Sequence, residues 1–231
     1  MVKKRAEDTK SARTRERILE SAASVLSQKG FAGTRLTDVA DHAQLQAPAI
    51  YYYFKSREEL IEEVMVVGIS RIRDHVTSVL EALPPTAGPV ERVLAAVEAH
   101  LRFSLTESDY TLAATRNGGQ LPDHLRDRHD SLRIEYGHIW RDLFVDAQKA
   151  GAIAPEIDLG MARMLTLGAM NWAVEWWKPQ GASVDVLIDT AQKILRSGLF
   201  FEVDSAPKIP PRPRKKPAKR TSRSKASPAG S

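Results

Sequence analysis

The stretch LTDVADHAQLQAPAIYYYFK, residues 36–55, constrains the possible fold more than any other part of the chain. Its first apolar residues recur at the three- and four-residue steps of a short helix with one buried side: Leu36, Val39, Ala40 and Ala43. Residues 44–47 are too few and too polar for another element. Pro48 suits the first turn of a helix, where its missing N–H has no partner to lose. We therefore predict a helix-turn-helix whose second helix runs from about Ala47 to Tyr53 and enters the DNA major groove.

Tyr51, Tyr52 and Tyr53 follow one another on this second helix. Successive helical residues point about 100° apart, so three adjacent aromatics cannot all face one core. At least one is expected to face outward, where its hydroxyl can bond a phosphate or its ring can contact a thymine methyl group. The alternative is an ordinary three-helix bundle in which the aromatic run has no function.

Residues 14–60 resemble the N-terminal domain of TetR-family bacterial repressors in five blocks that keep the family's order and spacing. The blocks are Arg17-Ile18-Leu19 with Ala22-Ala23, Lys29-Gly30-Phe31, Thr34 to Ala40, Tyr51 to Phe54, and Ser56 to Leu60. The chain departs from the family pattern at Gln44, where the turn usually carries glycine. It also departs at residues 46–49, where a Ser-x-Gly-x run is usual. The resemblance implies a domain that binds double-stranded DNA.

The side chains expected to contact DNA lie on and around the two short helices. Arg35 and Thr37 belong to the first turn of the earlier helix, where free N–H groups also favour phosphate. In the resembled family the helix after Ser56 begins beside the recognition helix, which implies phosphate contacts for Lys55 and Arg57. The complete predicted set is Arg35, Thr37, Gln46, Ala47, Pro48, Ala49, Tyr51, Tyr52, Lys55 and Arg57.

The formal net charge of +5 is unevenly distributed. Residues 1–60 carry eleven Lys and Arg against eight Asp and Glu, residues 61–206 carry fourteen against twenty-one, and residues 207–231 carry nine against none. An acidic body with basic ends suits a polyanionic partner. Residues 1–13 are predicted to form a mobile basic arm, and residues 206–231 a disordered basic tail. The tail is interpreted either as a non-specific DNA tether or as a solubilising extension.

The remaining pattern is helical throughout, so the predicted fold class is all-α. A helix-turn-helix domain, residues 14–60, precedes a helical ligand-binding and dimerisation domain, residues 61–205. The first helix is predicted over residues 14–28. Ser56 and Glu59 form a capping box that starts a long helix ending near Leu83. Later helices are predicted within residues 90–105, 125–150, 158–178 and 184–199.

The last two predicted helices carry apolar residues on more than one face, which is typical of a surface that meets a partner. In the resembled family these helices pair with their copies in a four-helix dimer interface. A two-fold dimer also matches a palindromic operator. The predicted homodimer interface contains Trp172, Trp176, Ile194 and Leu195.

An apolar cavity between the body helices is predicted to bind a small-molecule effector. Its candidate lining residues are Phe103, Tyr136, Trp140, Phe144 and Met164, with Met161 and Met170; the alternative is that each belongs to the ordinary core. The segment from Asn171 to Gly181 loosely resembles family members that respond to fatty acids or acyl-CoA thioesters. That resemblance implies arginines near the mouth for CoA phosphates, with Arg116, Arg126 and Arg133 as candidates.

Other chemistry has little sequence support. The chain has no cysteine, which excludes disulfides and thiolate metal sites and fits a cytoplasmic protein. It also lacks an apolar run of about 18 residues, so no membrane span is predicted. His124 and His129, flanked by aspartates, are interpreted as part of a charged exposed helix rather than a metal site. No catalytic or nucleotide-binding motif occurs, so neither enzymatic activity nor a cofactor is predicted. The sequence predicts a dimeric, ligand-responsive repressor; the alternative is an architectural nucleoid protein driven by the basic tail.

Overall fold

A computed structural model describes residues 2–107 and 109–200, which form helices and no strand. The α-helices are α1 (Val2–Gly33), α2 (Leu36–His42), α3 (Ala47–Tyr53), α4 (Arg57–Ala82), α5 (Pro89–Arg102), α6 (Asp109–Asn117), α7 (Arg126–Lys149), α8 (Leu159–Trp176) and α9 (Val184–Gly198). A π-helical turn, Phe103–Glu107, follows α5, and a 3₁₀ turn, Asp123–Leu125, precedes α7. The predicted all-α fold class is confirmed.

The first helix is longer than the sequence predicted. It begins at Val2 rather than near Thr14, so residues of the predicted mobile arm belong to α1. Gly30 adopts φ 70° and ψ 177°, a conformation that favours glycine and interrupts the helix where the sequence pattern ends it. Thr34 donates its hydroxyl hydrogen to the Gly30 carbonyl at 2.8 Å. The predicted basic tail, residues 206–231, lies outside the described residues.

Side-chain caps fix where three of the later helices begin. The Ser56 hydroxyl accepts from the Glu59 N–H, as predicted, while the Glu59 carboxylate accepts from the Lys55 N–H at 2.8 Å. Asp158 caps α8 and Ser183 caps α9 in the same way. These caps set the starting points of the helices that carry the candidate site.

Two hydrophobic cores stabilise the structure, and the first extends beyond residue 60. Apolar residues of α1 to α3 pack with Leu60, Ile61 and Met65 of α4 and also with Tyr110 and Ala113 of α6. The sequence did not predict α6, which is only nine residues long and follows directly on the π-helical turn. α6 therefore joins the first core to the body, and this core continues past the domain boundary predicted at residue 60.

The second core lies among α4, α5, α7, α8 and α9, and the fully buried Trp140 and Phe144 belong to it. Gly68 of α4 allows the close approach of α6, because a Cβ there would lie 2.3 Å from the Tyr110 carbonyl oxygen. Among the described residues, no helix is both long enough and apolar enough to span a membrane.

Candidate functional site

The turn between α2 and α3 holds the second helix firmly on the first core. Ile50 and Phe54 are buried and face inward from α3 and its C-terminal end. Gln44 has φ 53°, the left-handed conformation for which glycine is usual in such turns. The helix-turn-helix geometry is thus kept although this chain carries glutamine at that position.

Tyr51 and Tyr52 face away from the protein on the outer side of α3. Their side chains are 58% and 81% exposed, whereas Tyr53 packs against the first core. The rings of Tyr52 and Tyr53 meet edge to face, with centroids 5.0 Å apart. At least one tyrosine faces outward, as predicted; two of the three do.

Unpaired cations flank this aromatic surface. Arg35 and Lys55 are exposed, and neither side chain forms an ion pair with any side chain that the structure describes. Thr37, Gln46 and Pro48 are also exposed, while Ala47 and Ala49 are half-buried. We name the surface formed by these residues with Tyr51 and Tyr52 the tyrosine surface; its predicted DNA contacts remain predictions.

Arg57 differs from the other predicted contact residues. Its Nε donates to the Thr34 carbonyl at 2.6 Å, and its guanidinium also donates to the carbonyl of Phe31 and pairs with Glu58. The guanidinium carbon lies 4.7 Å from the centre of the Phe31 ring. Arg57 thus holds the segment between α1 and α2 with three of its five N–H donors. Its predicted phosphate contact stays a prediction.

A second exposed aromatic surface lies on α8 and α9. Trp172 and Trp176 are 66% and 53% exposed and share one helical stripe with Met161 and Leu165. Ile194 and Val186 are exposed on α9, whereas the predicted interface residue Leu195 is half-buried and packs against the second core. We name the exposed members of this set the tryptophan surface: Met161, Leu165, Trp172, Trp176, Val186 and Ile194.

A cavity of about 780 Å³ opens among α4, α6, α7 and α8, and His100 of α5 also contributes to it. Of the predicted lining residues, only Tyr136 and Met164 reach it. Phe103, Trp140 and Phe144 do not: Trp140 and Phe144 are completely buried in the second core, and Phe103 packs against that core and stacks on His75. Helical periodicity identified these three as inward-facing but could not separate core from cavity wall.

Buried polar groups line the inner end of the cavity. The His100 ring lies between the Tyr136 hydroxyl, 2.8 Å from Nδ1, and the Asn171 amide oxygen, 3.2 Å from Nε2. Burial lowers the pKa of His100 to about 4, and the Asn171 hydrogen bond only partly opposes this, so the ring is neutral near pH 7. The neutral ring then donates to Asn171 and accepts from Tyr136, whose own pKa is raised by burial.

The end of α6 connects the body to the end of α1, and we name this contact the joint. Arg116 donates to the carbonyls of Ser27 and Val174 and pairs with Glu175, each at 2.9 Å. The buried Asn117 accepts the Phe31 N–H at 2.8 Å. Arg116 belongs to the joint and does not line the cavity, whereas Arg126 and Arg133 do. The predicted contacts of all three with CoA phosphates stay predictions. No sequence pattern predicts the joint, because most of its partners are backbone atoms of distant segments.

His129 is buried beside the cavity rather than on an exposed helix face, contrary to the prediction. The His129 ring packs beside Gly118, at 3.4 Å from where a Cβ of that residue would lie. Within the described ranges, no cluster of three His, Asp or Glu residues could hold a metal ion.

Comparison with known proteins gives consistent matches along the described chain. Residues 18–64 match the bacterial regulatory proteins of the tetR family, and residues 86–199 match the tetracyclin repressor-like C-terminal domain. An HTH-type transcriptional regulator, YdgC, from Bacillus subtilis is 32% identical over 168 residues, which cover 72% of this chain and 82% of the relative. The transcriptional repressor KstR2 from Mycolicibacterium smegmatis is 26% identical over 76% of this chain and 86% of its own length.

A solved structure shows the same fold. AibR in complex with isovaleryl coenzyme A and operator DNA superposes with a TM-score of 0.72 at 22% identity, covering 78% of this chain and 97% of AibR. None of the proteins named here is described as an architectural nucleoid protein.

Proposed function

The chain belongs to the tetR family of bacterial regulatory proteins and is a DNA-binding regulator, and we propose that it represses transcription as a homodimer that a small molecule releases from its operator. The observation that carries this proposal is the tyrosine surface. Two outward-facing aromatic hydroxyls lie on α3, which its own core holds in place, and two unpaired cations lie at the start of α2 and just after α3. Such a surface supplies both phosphate contacts and base-edge contacts.

The tryptophan surface supports the homodimer. Its four side chains on α8 and its two on α9 are all more than half exposed, which leaves a large apolar area in water. One seven-residue recognition helix reads few base pairs, whereas two copies related by a two-fold axis read a palindrome. In this proposal α8 and α9 pair with the same helices of a second copy and set the spacing of the two tyrosine surfaces.

The cavity supports control by a ligand. Its volume of about 780 Å³ falls in the usual range for small-molecule sites, and much of its wall is apolar. We propose an apolar effector such as a fatty acid or its CoA thioester. AibR, a protein of the same fold, was solved with isovaleryl coenzyme A and operator DNA. Operator binding would place the protein on the bacterial nucleoid in the cytoplasm.

The joint offers a route from ligand to DNA. Gly118 and Ala114 line the cavity, and the adjacent Asn117 and Arg116 hold the end of α1. A ligand that displaces the end of α6 would therefore move α1, the helix α2 that packs on it, and the recognition helix α3 that packs on α2. The ligand must bind the displaced arrangement more tightly than the DNA-bound one, since equal affinity for both shifts nothing.

Selection of operator sequences from genomic fragments by the full-length protein tests the proposal. We expect an inverted repeat, protected symmetrically, with affinity that falls as salt rises. Binding is then repeated with residues 207–231 removed. Sequence-selective binding should persist at raised salt without the tail. If all selectivity disappears with the tail, the repressor proposal is wrong and the architectural alternative replaces it.

A further inference from the structure

One end of the cavity contains buried polar atoms without partners. His129 is 1% exposed, and neither of its ring nitrogens makes a hydrogen bond with a described residue; the same holds for Nε of Arg126. The Asp130 carboxylate lies 3.5 Å from His129 Nδ1, which is longer than the roughly 2.7–3.2 Å of a hydrogen bond. Buried donors left unpaired are costly, so a group that normally satisfies them is expected in the functional state.

These atoms lie on the face of α7 that lines the cavity. Arg126, His129 and Arg133 are spaced three and four residues apart from the start of the helix, so they point in one direction. No side chain caps this helix start, where free N–H groups favour negative charge. Gly118 and Gly119 line the same cavity as these three side chains, which therefore face open space.

The charge balance around the cavity favours an anion by a small margin. Four arginines line the cavity, Arg126, Arg133, Arg141 and Arg163, together with the carboxylate of Asp130. Outside the lining, Asp123 pairs with Arg126 at 3.2 Å and Asp142 pairs with Arg141 at 3.0 Å, so four cations face three carboxylates. Asp130 is itself paired with Arg133, at 3.3 Å. Burial lowers the pKa of His129, so its ring is neutral near pH 7 and offers one N–H donor. This neutral N–H, beside an arginine, can bind a negative oxygen atom, and the ring does not have to change its protonation state to do so.

The rest of the wall has a different character. Ile69 and Ile72 of α4, Ala114 of α6 and Leu167 of α8 form an apolar stretch between the basic end and the His100 end. A ligand that fills the cavity must therefore place an apolar body against these residues.

We propose that the ligand is amphipathic, and that its anionic oxygens bind Arg126 Nε–H and the His129 N–H at the start of α7, with Arg133 at the outer side. The anion is a carboxylate or a phosphate, and its apolar body lies against α4, α6 and α8. This inference rests on the proposed function only for its regulatory meaning; the binding site itself stands on the geometry.

Direct titration of the full-length protein without DNA tests the site. The probes are dodecanoate and dodecanoyl-CoA, each below its critical micelle concentration, and the uncharged 1-dodecanol below its solubility limit. The heat of binding is measured. At least one anionic probe should bind roughly ten- to a hundredfold more tightly than the alcohol, the ratio expected for one charge-assisted hydrogen bond. Tighter binding of dodecanoate identifies a carboxylate site, and binding of the thioester alone identifies a phosphate site.

His129→Phe is the main variant, because phenylalanine keeps the ring volume and removes both nitrogens. It should reduce the preference for the anion about tenfold, the effect of losing one hydrogen bond to a charged group, while leaving the affinity for dodecanol unchanged. Its thermal midpoint without ligand should be equal to or higher than that of the parent, because unpaired buried nitrogens are removed. His129→Gln keeps an N–H donor and should retain part of the preference. Leu167→Ala, on the apolar wall, is the matched control and should weaken all probes alike.

Three results would overturn the site: equal affinity for anion and alcohol, an unchanged anion preference in His129→Phe, or no binding of hexanoate, dodecanoate, hexadecanoate or their thioesters.

Operator release is measured separately by adding each probe to the protein–DNA complex. If the anion binds through His129 but leaves DNA binding unchanged, the site stands and ligand control of the operator fails. If a ligand releases DNA without dependence on His129, the proposed function stands and the site is wrong.

Discussion

The tyrosine surface and the tryptophan surface both expose aromatic rings, yet they are built for different partners. Tyr51 and Tyr52 stand on a seven-residue helix, carry hydroxyls and lie beside unpaired cations. Trp172 and Trp176 stand on an eighteen-residue helix among methionine and leucine side chains. The first combination suits a charged, hydrogen-bonding partner, and the second suits an apolar one. Exposure alone therefore does not identify a binding partner; the neighbours of the exposed ring do.

The largest effect is expected from placing a charge in the tryptophan surface. Leu165→Glu should convert the dimer to a monomer, because burying an unpaired carboxylate in an apolar interface is costly. Loss of the linked second half-site should weaken operator binding on the order of a hundredfold or more. Sedimentation and operator titration measure the two effects. Lys149→Glu, an exposed charge change at the end of α7, is the control and should remain dimeric. A dimeric Leu165→Glu protein would show that the tryptophan surface does not pair.

Low pH should destabilise the body without changing the tyrosine surface. The folded-state pKa of His100, about 4, lies below its unfolded value of 6.5, so folding favours the neutral ring. That stability, about 3 kcal/mol, is fully present above pH 6.5 and is lost as the pH falls towards 4. All four tryptophans lie in the body, so their fluorescence during urea unfolding reports this loss selectively.

His100→Gln is the matched variant, because its amide can still bond Tyr136 and Asn171 but does not titrate. As the pH falls from 6.5 to 4, the parent should lose unfolding free energy relative to the variant. His129 is present in both proteins, so its own lowered pKa, which acts in the same direction, cancels in the comparison. Parallel stability curves would show that His100 does not titrate as described.

Tyr51→Ala tests the other surface. The exposed ring contributes little to the core, so the thermal midpoint should stay within about a degree or two of the parent's. Operator affinity should fall about tenfold or more, as for loss of one direct contact. Tyr51→Phe separates the hydroxyl from the ring, and Gln28→Ala, on the exposed part of α1, is the control. Equal operator affinity in Tyr51→Ala and the parent would show that the aromatic run is only packing.

The sequence predicted the helices better than it predicted what their side chains contact. α4, α7, α8 and α9 begin and end close to their predicted bounds, because caps, glycine and proline are local signals. The role of Arg57 was missed, since its partners are carbonyls of residues 31 and 34, which no side-chain pattern records. The same limit applies to Trp140 and Met164, which both fitted an apolar pattern. Trp140 is completely buried, whereas Met164 is 56% exposed. Tertiary contacts, not periodicity, decide between core, cavity and surface.

The smallest effect concerns how the tyrosine surface is held in place. Gln44 has φ 53°, which costs a residue with a Cβ about 1 kcal/mol relative to glycine. Gln44→Gly should relieve this strain, although part of the gain is offset by the greater freedom of glycine in the unfolded chain. We expect a net rise in unfolding free energy of a few tenths of a kcal/mol, with unchanged operator affinity. Gln44→Ala, which keeps the Cβ and removes the amide, is the control. If Gly and Ala variants are equally stable, the turn carries no strain, and the geometry of α3 depends on the buried Ile50 and Phe54 alone.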